Sequence, residues 1–165
     1  MPSTSDANAA KPQATTQAQA QLNKPVLKKG SKGKDVEELQ KLLTHWDVYT
    51  GPINGTFGPQ TEQGVIAFQH RVFLLEDGIV GDLTWQALYS GTPVNMPVLK
   101  RGSKGQAVTT VQTVLQLTRD YTSTIDGDFG PRTETAVKAF QTRSNLRNDG
   151  VVEDKTWYAL SKVPH

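Results

Sequence analysis

Pro25-Val26-Leu27-Lys28-Lys29-Gly30-Ser31-Lys32-Gly33 returns further along the chain as Pro97-Val98-Leu99-Lys100-Arg101-Gly102-Ser103-Lys104-Gly105, an offset of 72 residues. The same offset, without a gap, aligns Tyr49 with Tyr121, Ile53 with Ile125, Phe57-Gly58-Pro59 with Phe129-Gly130-Pro131, and Ala67-Phe68-Gln69 with Ala139-Phe140-Gln141. It also pairs Asp77-Gly78 with Asp149-Gly150 and Thr84-Trp85 with Thr156-Trp157. Solenoid units of 20–50 residues cannot fold alone, whereas a period this long suits two complete small domains. We therefore expect one domain over residues 25–91, a second over 97–163, and a linker at Thr92-Pro93-Val94-Asn95-Met96. A linker that is short and contains proline is expected to restrict the separation of the two.

Within a repeat, Val36, Leu39, Leu42, Leu43 and Trp46 recur at helical spacing, as do Val108, Val111, Val114 and Leu115. Gly33 and Gly105, with Ser31 and Ser103 just upstream, sit where a helix N-terminus needs its orphan amides satisfied. A second helix is predicted from Pro59 and from Pro131, because proline's missing amide is tolerated in the first turn. A third, short one starts near Asp82 and Asp154 as N-cap candidates and buries Trp85 and Leu88, or Trp157 and Leu160. Strand signals are weak. The expected fold class is all-α, two tandem three-helix bundles with glycine turns at Asn54-Gly55, Asp77-Gly78, Asp126-Gly127 and Asp149-Gly150.

The remaining composition narrows the chemistry. The 165 residues are 36% hydrophobic, carry a formal charge of +2 and include no cysteine, which removes disulfides, thiolate metal sites and cysteine nucleophiles. His45, His70 and His165 are scattered, and the first two become Leu117 and Thr142 in the second copy. Asp126-Gly127-Asp128 opens like a calcium loop but lacks the closing glutamate, and Gly30-Ser31-Lys32-Gly33-Lys34 has the wrong spacing for a phosphate loop. Adjacent Glu37-Glu38 does not face one way on a helix and is Thr109-Thr110 in the other copy. Metal, cofactor and catalytic machinery are accordingly expected to be absent. The near balance of charge speaks against nucleic acid, and no apolar run approaches a membrane span. Residues 1–24, rich in Ala, Gln and Thr, read as a disordered leader without the features of a secretory signal.

Lys/Arg-Gly-Ser-x-Gly before a Val-x-x-Leu/Val-Gln helix, then Asx-Gly-x-Phe-Gly-Pro-x-Thr-Glu, Ala-Phe-Gln, and Asp-Gly-x-Val-x-x-x-Thr-Trp-x-Ala-Leu appear in this order in both copies. The set resembles the type 1 peptidoglycan-binding domain over residues 25–90 and 97–162. That family is similar to small three-helix modules carried by bacterial wall hydrolases and by matrix metalloproteinase propeptides. The cysteine switch of the propeptides does not transfer to a chain without cysteine. The resemblance implies passive binding of peptidoglycan, through its glycan strand or its stem peptide, by a monomer at the cell envelope. An intracellular adaptor that keeps the fold but binds a polypeptide, and resides in the cytoplasm, is the alternative.

A wall ligand offers acetamides, hydroxyls and carboxylates. Binding candidates are therefore Gln69 and Gln141, Arg71 and Arg143, Thr61 and Thr133, Tyr49 and Tyr121, together with Asn54 and Asp126 at the family's turn position. For the threonines helix-start hydrogen bonding, and for the glutamines ties to turn backbone, are the structural alternatives. Trp85 and Trp157 are read as core. The basic residues Lys28, Lys29, Lys32 and Lys34, partly matched by Lys100, Arg101 and Lys104, are read as a solvated edge.

Overall fold

A computed structural model describes residues 23–165, so the leader expected over 1–24 lies almost entirely outside the described residues. Six helices are present among them: α1 Lys34–His45, α2 Pro59–Arg71, α3 Asp82–Ser90, α4 Gln106–Leu117, α5 Pro131–Arg143 and α6 Asp154–Ser161. The chain divides into two compact units between Asn95 and Met96. Each is an all-α bundle of three helices, and the tandem architecture expected from the repeat is the one observed.

In the first unit α1 packs on α2 and α3. Their apolar faces enclose Val36, Leu39, Leu43, Val65, Phe68, Leu83, Trp85 and Leu88, all at most 1% exposed, with Leu42, Trp46 and Val94 half-buried at the margin. The second unit buries Val108, Val111, Leu115, Val137, Phe140, Trp157 and Leu160 at the corresponding places. Burial at about 25 cal/mol per Å² makes these side chains the main stabilising term of such small units.

The helices do not account for the whole topology. Leu27 and Val80 exchange backbone bonds of 3.1 and 2.8 Å, and Leu99 and Val152 exchange bonds of 3.0 and 2.7 Å, so each unit's first extended segment is tied beside the approach to its third helix. Lys32–Thr56 and Lys104–Asp128 form a second bridge in each unit. The tryptophans add to this tie: Trp85 Nε1 donates to Pro25 O and Trp157 Nε1 to Pro97 O, both at 2.8 Å.

Helix ends differ from the sequence expectation in two ways. Ser31 and Ser103 do not cap α1 and α4. Gly33 and Gly105 hold the N-cap positions without a side-chain bond, and the serine hydroxyls instead accept the Lys28 and Lys100 amides at 3.1 and 3.0 Å, closing the preceding turn. Asp82 and Asp154 are the first helical residues, preceded by Gly81 and Glu153 as the N-caps. At the other end α1, α2, α4 and α5 close through a non-glycine residue in the left-handed region, Asp47, Phe73, Arg119 and Asn145, followed by a long backbone bond such as Val48 N to Leu43 O at 3.0 Å.

Candidate functional site

The polar residues that the repeat shares are organised around four buried glutamines. Gln69 sits on α2 with no exposure. Its Nε2 donates to Asp77 Oδ1, Ile79 O and Thr84 Oγ1 at 3.0, 3.0 and 3.2 Å, while its Oε1 accepts the Gly78 amide at 3.0 Å. Gln141 repeats this with Asp149, Val151, Thr156 and Gly150. Gln40 on α1 and Gln112 on α4 hold the other turn of each unit in the same manner. Gln40 bonds Asn54, Thr56, Thr61 and the Gly55 amide, and Gln112 bonds Asp126, Asp128, Thr133 and the Gly127 amide.

Every knot therefore has one plan: a helix glutamine, an Asx-Gly turn, and a threonine in the first turn of the next helix. The turn glycines stand at φ 72–75°, a region a side chain disfavours, and their amides point at the glutamine oxygen. Asx and threonine are seven residues apart in all four cases. Gln40 and Gln112 are not among the sequence candidates; they stand 14 residues before their Asx, whereas Gln69 and Gln141 stand 8 before theirs.

This placement revises the reading of six candidates. Thr61, Gln69, Thr133 and Gln141 are at most 1% exposed, and Tyr49 and Tyr121 are at most 5% exposed. Tyr49 OH donates to Pro52 O at 2.5 Å, and Tyr121 OH donates to Thr124 O. These six are already bonded inside, so their side chains hold turns and shape the surface around them, as the structural alternatives for the threonines and glutamines have it. Arg71 is half-buried, with Nη1 donating to the Trp46 carbonyl at 2.8 Å, and Arg143 is exposed and pairs with Asp120. Asn54 and Asp126 face solvent, each with Oδ1 accepting the amide two residues on at 3.0 Å. The Asp128 amide, with the Gln112 carboxamide, holds the Asp126 carboxyl below its ordinary range.

A groove of about 500 Å³ opens in the second unit beside the Gln141 knot. Asp149, Thr156 and Gln141 form its floor region, and Arg147, Glu153, Asp154 and Lys155 contribute exposed charged side chains. Arg147, Glu153 and Lys155 occur in one copy only, so the comparison of repeats does not single them out, and Asp154, matched by Asp82, reads from sequence as a helix start. Of the basic edge, Lys104 pairs with Asp128 and Arg101 with Glu134, both at 3.0 Å. Among the described residues no three His, Asp or Glu side chains are grouped to hold a metal ion, and no helix is long and apolar enough to cross a membrane.

Two small three-helix modules, each pinned by polar knots, make up the described part of the chain. The chain belongs to the peptidoglycan binding domain family, whose model matches residues 32–88 and 104–160. It is 30% identical to the N-acetylmuramoyl-L-alanine amidase CwlL of Bacillus licheniformis, over 86% of this chain and 48% of that protein. To the N-acetylmuramoyl-L-alanine amidase CwlM of Mycobacterium tuberculosis it is 35% identical, over 63% of this chain and 27% of that protein. The chain thus spans less than half the length of these relatives. The N-terminal domain of SleB is 36% identical over 40% of this chain and 90% of that one, at a TM-score of 0.40.

Proposed function

We propose that this chain binds bacterial peptidoglycan without cleaving it, through two modules that engage repeats of the same polymer at the cell envelope. The observation that carries this reading is the family match in both halves of the chain. The polar residues common to both copies support it from the chemical side. Their side chains are occupied in holding turns, which leaves no paired acid and base free for hydrolysis at those positions. The exposed polar groups Asn54, Asp126 and Arg143 remain available to a ligand in addition to the groove. A monomer suffices, because two sites on one chain raise avidity by roughly 10²–10⁴ over one when the polymer offers matched spacing.

Co-sedimentation with purified sacculi tests the reading, with turbidity of the same suspension followed in parallel. The expected result is protein in the pellet and constant turbidity. Protein that stays in the supernatant at low salt overturns binding, and clearing of the suspension overturns the non-catalytic assignment.

A further inference from the structure

The two units share their fold and their knots, yet they differ at the groove. Where the second unit has Asn145, Arg147, Glu153 and Lys155, the first has Phe73, Leu75, Gly81 and Leu83. Phe73 and Leu83 are buried, whereas Arg147, Glu153 and Lys155 are exposed. Both cations at this place are therefore unique to the second unit.

Three properties of the groove point to its ligand. First, none of the residues lining it is aromatic. Sugar faces are bound by stacking on aromatic surface, which this groove does not offer. Second, the side chains of Arg147, Glu153, Asp154 and Lys155 have no ion pair or hydrogen bond with other described residues. Solvent-exposed charges of both signs around one concavity, none of them neutralised by a neighbouring side chain, are complementary to a ligand that itself carries carboxylates and an amine. Third, Val98 lines the same groove and is 59% exposed, an apolar contact of the size that a short aliphatic side chain covers.

We propose, on the strength of the peptidoglycan reading above, that the groove of the second unit takes the zwitterionic peptide stem of the polymer and not its sugars, and that the first unit lacks this subsite. Arg147 and Lys155 receive the stem's carboxylates, Glu153 and Asp154 its free amine, and Val98 an alanine methyl. The knot beside it, repeated from the first unit, fixes part of its wall: Asp149 and Thr156 are held by Gln141, so that part of the groove is preorganised and ordering it costs little on binding.

The test uses the full chain, isotope-labelled, titrated separately with the peptide L-Ala–γ-D-Glu–diaminopimelate–D-Ala and with the N-acetylglucosamine tetramer. The peptide is expected to move the amide signals of Val98, Arg147 and Lys155 and to bind more weakly as salt rises. The double variant R147L/K155L, which installs the first unit's residues, is expected to lose about tenfold or more in affinity. R147Q/K155Q controls for added apolar surface and is expected to lose as much, with an unchanged circular dichroism spectrum. Three results overturn the assignment: peptide shifts confined to the first unit, the sugar tetramer filling the groove in place of the peptide, or variants that bind the peptide like the parent. If sacculi still pull the protein down while the peptide leaves the groove signals unmoved, the stem assignment fails and wall binding stands. If sacculi do not retain the protein, both fail.

Discussion

Gln69 and Thr84 meet inside the first unit, the carboxamide nitrogen donating to the hydroxyl at 3.2 Å across fifteen residues of chain. Gln40 reaches Thr61, Gln112 reaches Thr133 and Gln141 reaches Thr156 at 3.0–3.1 Å. In each case a helix is fastened to the first turn of the next helix through a fully buried polar group, and the intervening Asx-Gly turn is clasped by the same side chain. Apolar packing sets how well the units are held; these knots set the path of the chain between helices.

Removing a knot should cost more than removing an ordinary surface glutamine. Gln69→Ala leaves the buried Gly78 amide without its acceptor and the Thr84 hydroxyl without its donor, and an unsatisfied buried group costs about 1–3 kcal/mol. We expect Q69A to lower unfolding free energy by about 2–4 kcal/mol in urea titrations, with Q141A similar. Q69E should be worse, because a carboxylate would face Asp77, to which the Gln69 amide now donates at 3.0 Å. A loss below about 0.5 kcal/mol for Q69A would show that the knot is dispensable.

The tryptophans join core to termini of the modules. Trp85→Phe and Trp157→Phe retain an aromatic ring but lose the 2.8 Å bond to Pro25 O or Pro97 O, along with part of the buried surface. The expected cost is about 1–3 kcal/mol each, combining one hydrogen bond with lost burial. Thermal unfolding followed by circular dichroism measures it, and amide exchange at Leu27 or Leu99 should speed up because the adjoining bridge loosens.

What the sequence made legible follows from what the duplication could control. Helical periodicity located α1 and α4, and Pro59 and Pro131 located the starts of α2 and α5 where the structure has them. The ends of these helices were not marked, since Asp47 and Phe73 take left-handed conformations without the glycine that usually announces one. Repetition alone does not separate a ligand group from a turn-holding one, and in Gln69 and Thr61 the structure has the turn and helix-start bonding that the sequence offers as the alternative. Arg147 and Lys155, present once, were invisible to that criterion, and which charges converge on a groove is a property of tertiary placement alone.

Gly64 and Ala136 occupy equivalent places in α2 and α5 and offer a paired experiment. A Cβ at Gly64 would stand 3.0 Å from the Val48 carbonyl oxygen and 3.3 Å from Leu43 Cδ1, so the backbone must yield slightly. Alanine's helix propensity, better by about 1 kcal/mol, offsets that strain, and G64A is expected to lie within about 0.5 kcal/mol of the parent. Ala136 is 1% exposed and has no such compensation on removal. A136G should lose propensity and a buried methyl together, about 1.5–2 kcal/mol in urea unfolding. Equal effects in the two directions would refute this account.

Acid should weaken the first unit through Glu38. Lys24 Nζ lies 2.5 Å from Glu38 Oε1 and 3.3 Å from Asp35 Oδ1, over the Trp85 ring at 5.5 Å, and Tyr89 OH donates to Glu38 Oε2. Burial pushes the Glu38 carboxyl up, but hydrogen bonds from Lys24 and Tyr89 outweigh it and hold the group below 4.5. The Glu38 hydrogen bond holds the Lys24 ammonium above its ordinary 10.5 against the opposing effect of burial. A carboxyl depressed on folding stabilises above its unfolded value, and that contribution is lost as pH falls through the folded one; a raised lysine stabilises below its unfolded value and loses this only in strong base. The stability difference between the parent and E38Q should therefore be flat from about pH 6 to about pH 9 and shrink on acidification below about pH 4.5. Its plateau should be no more than about 1 kcal/mol, because the pair is partly solvated. Thr110 and Met96 stand at the equivalent positions of the second unit, so T110V should show no such acid limb. A parent-minus-E38Q difference that stays constant down to about pH 3 would remove Glu38 from the acid response.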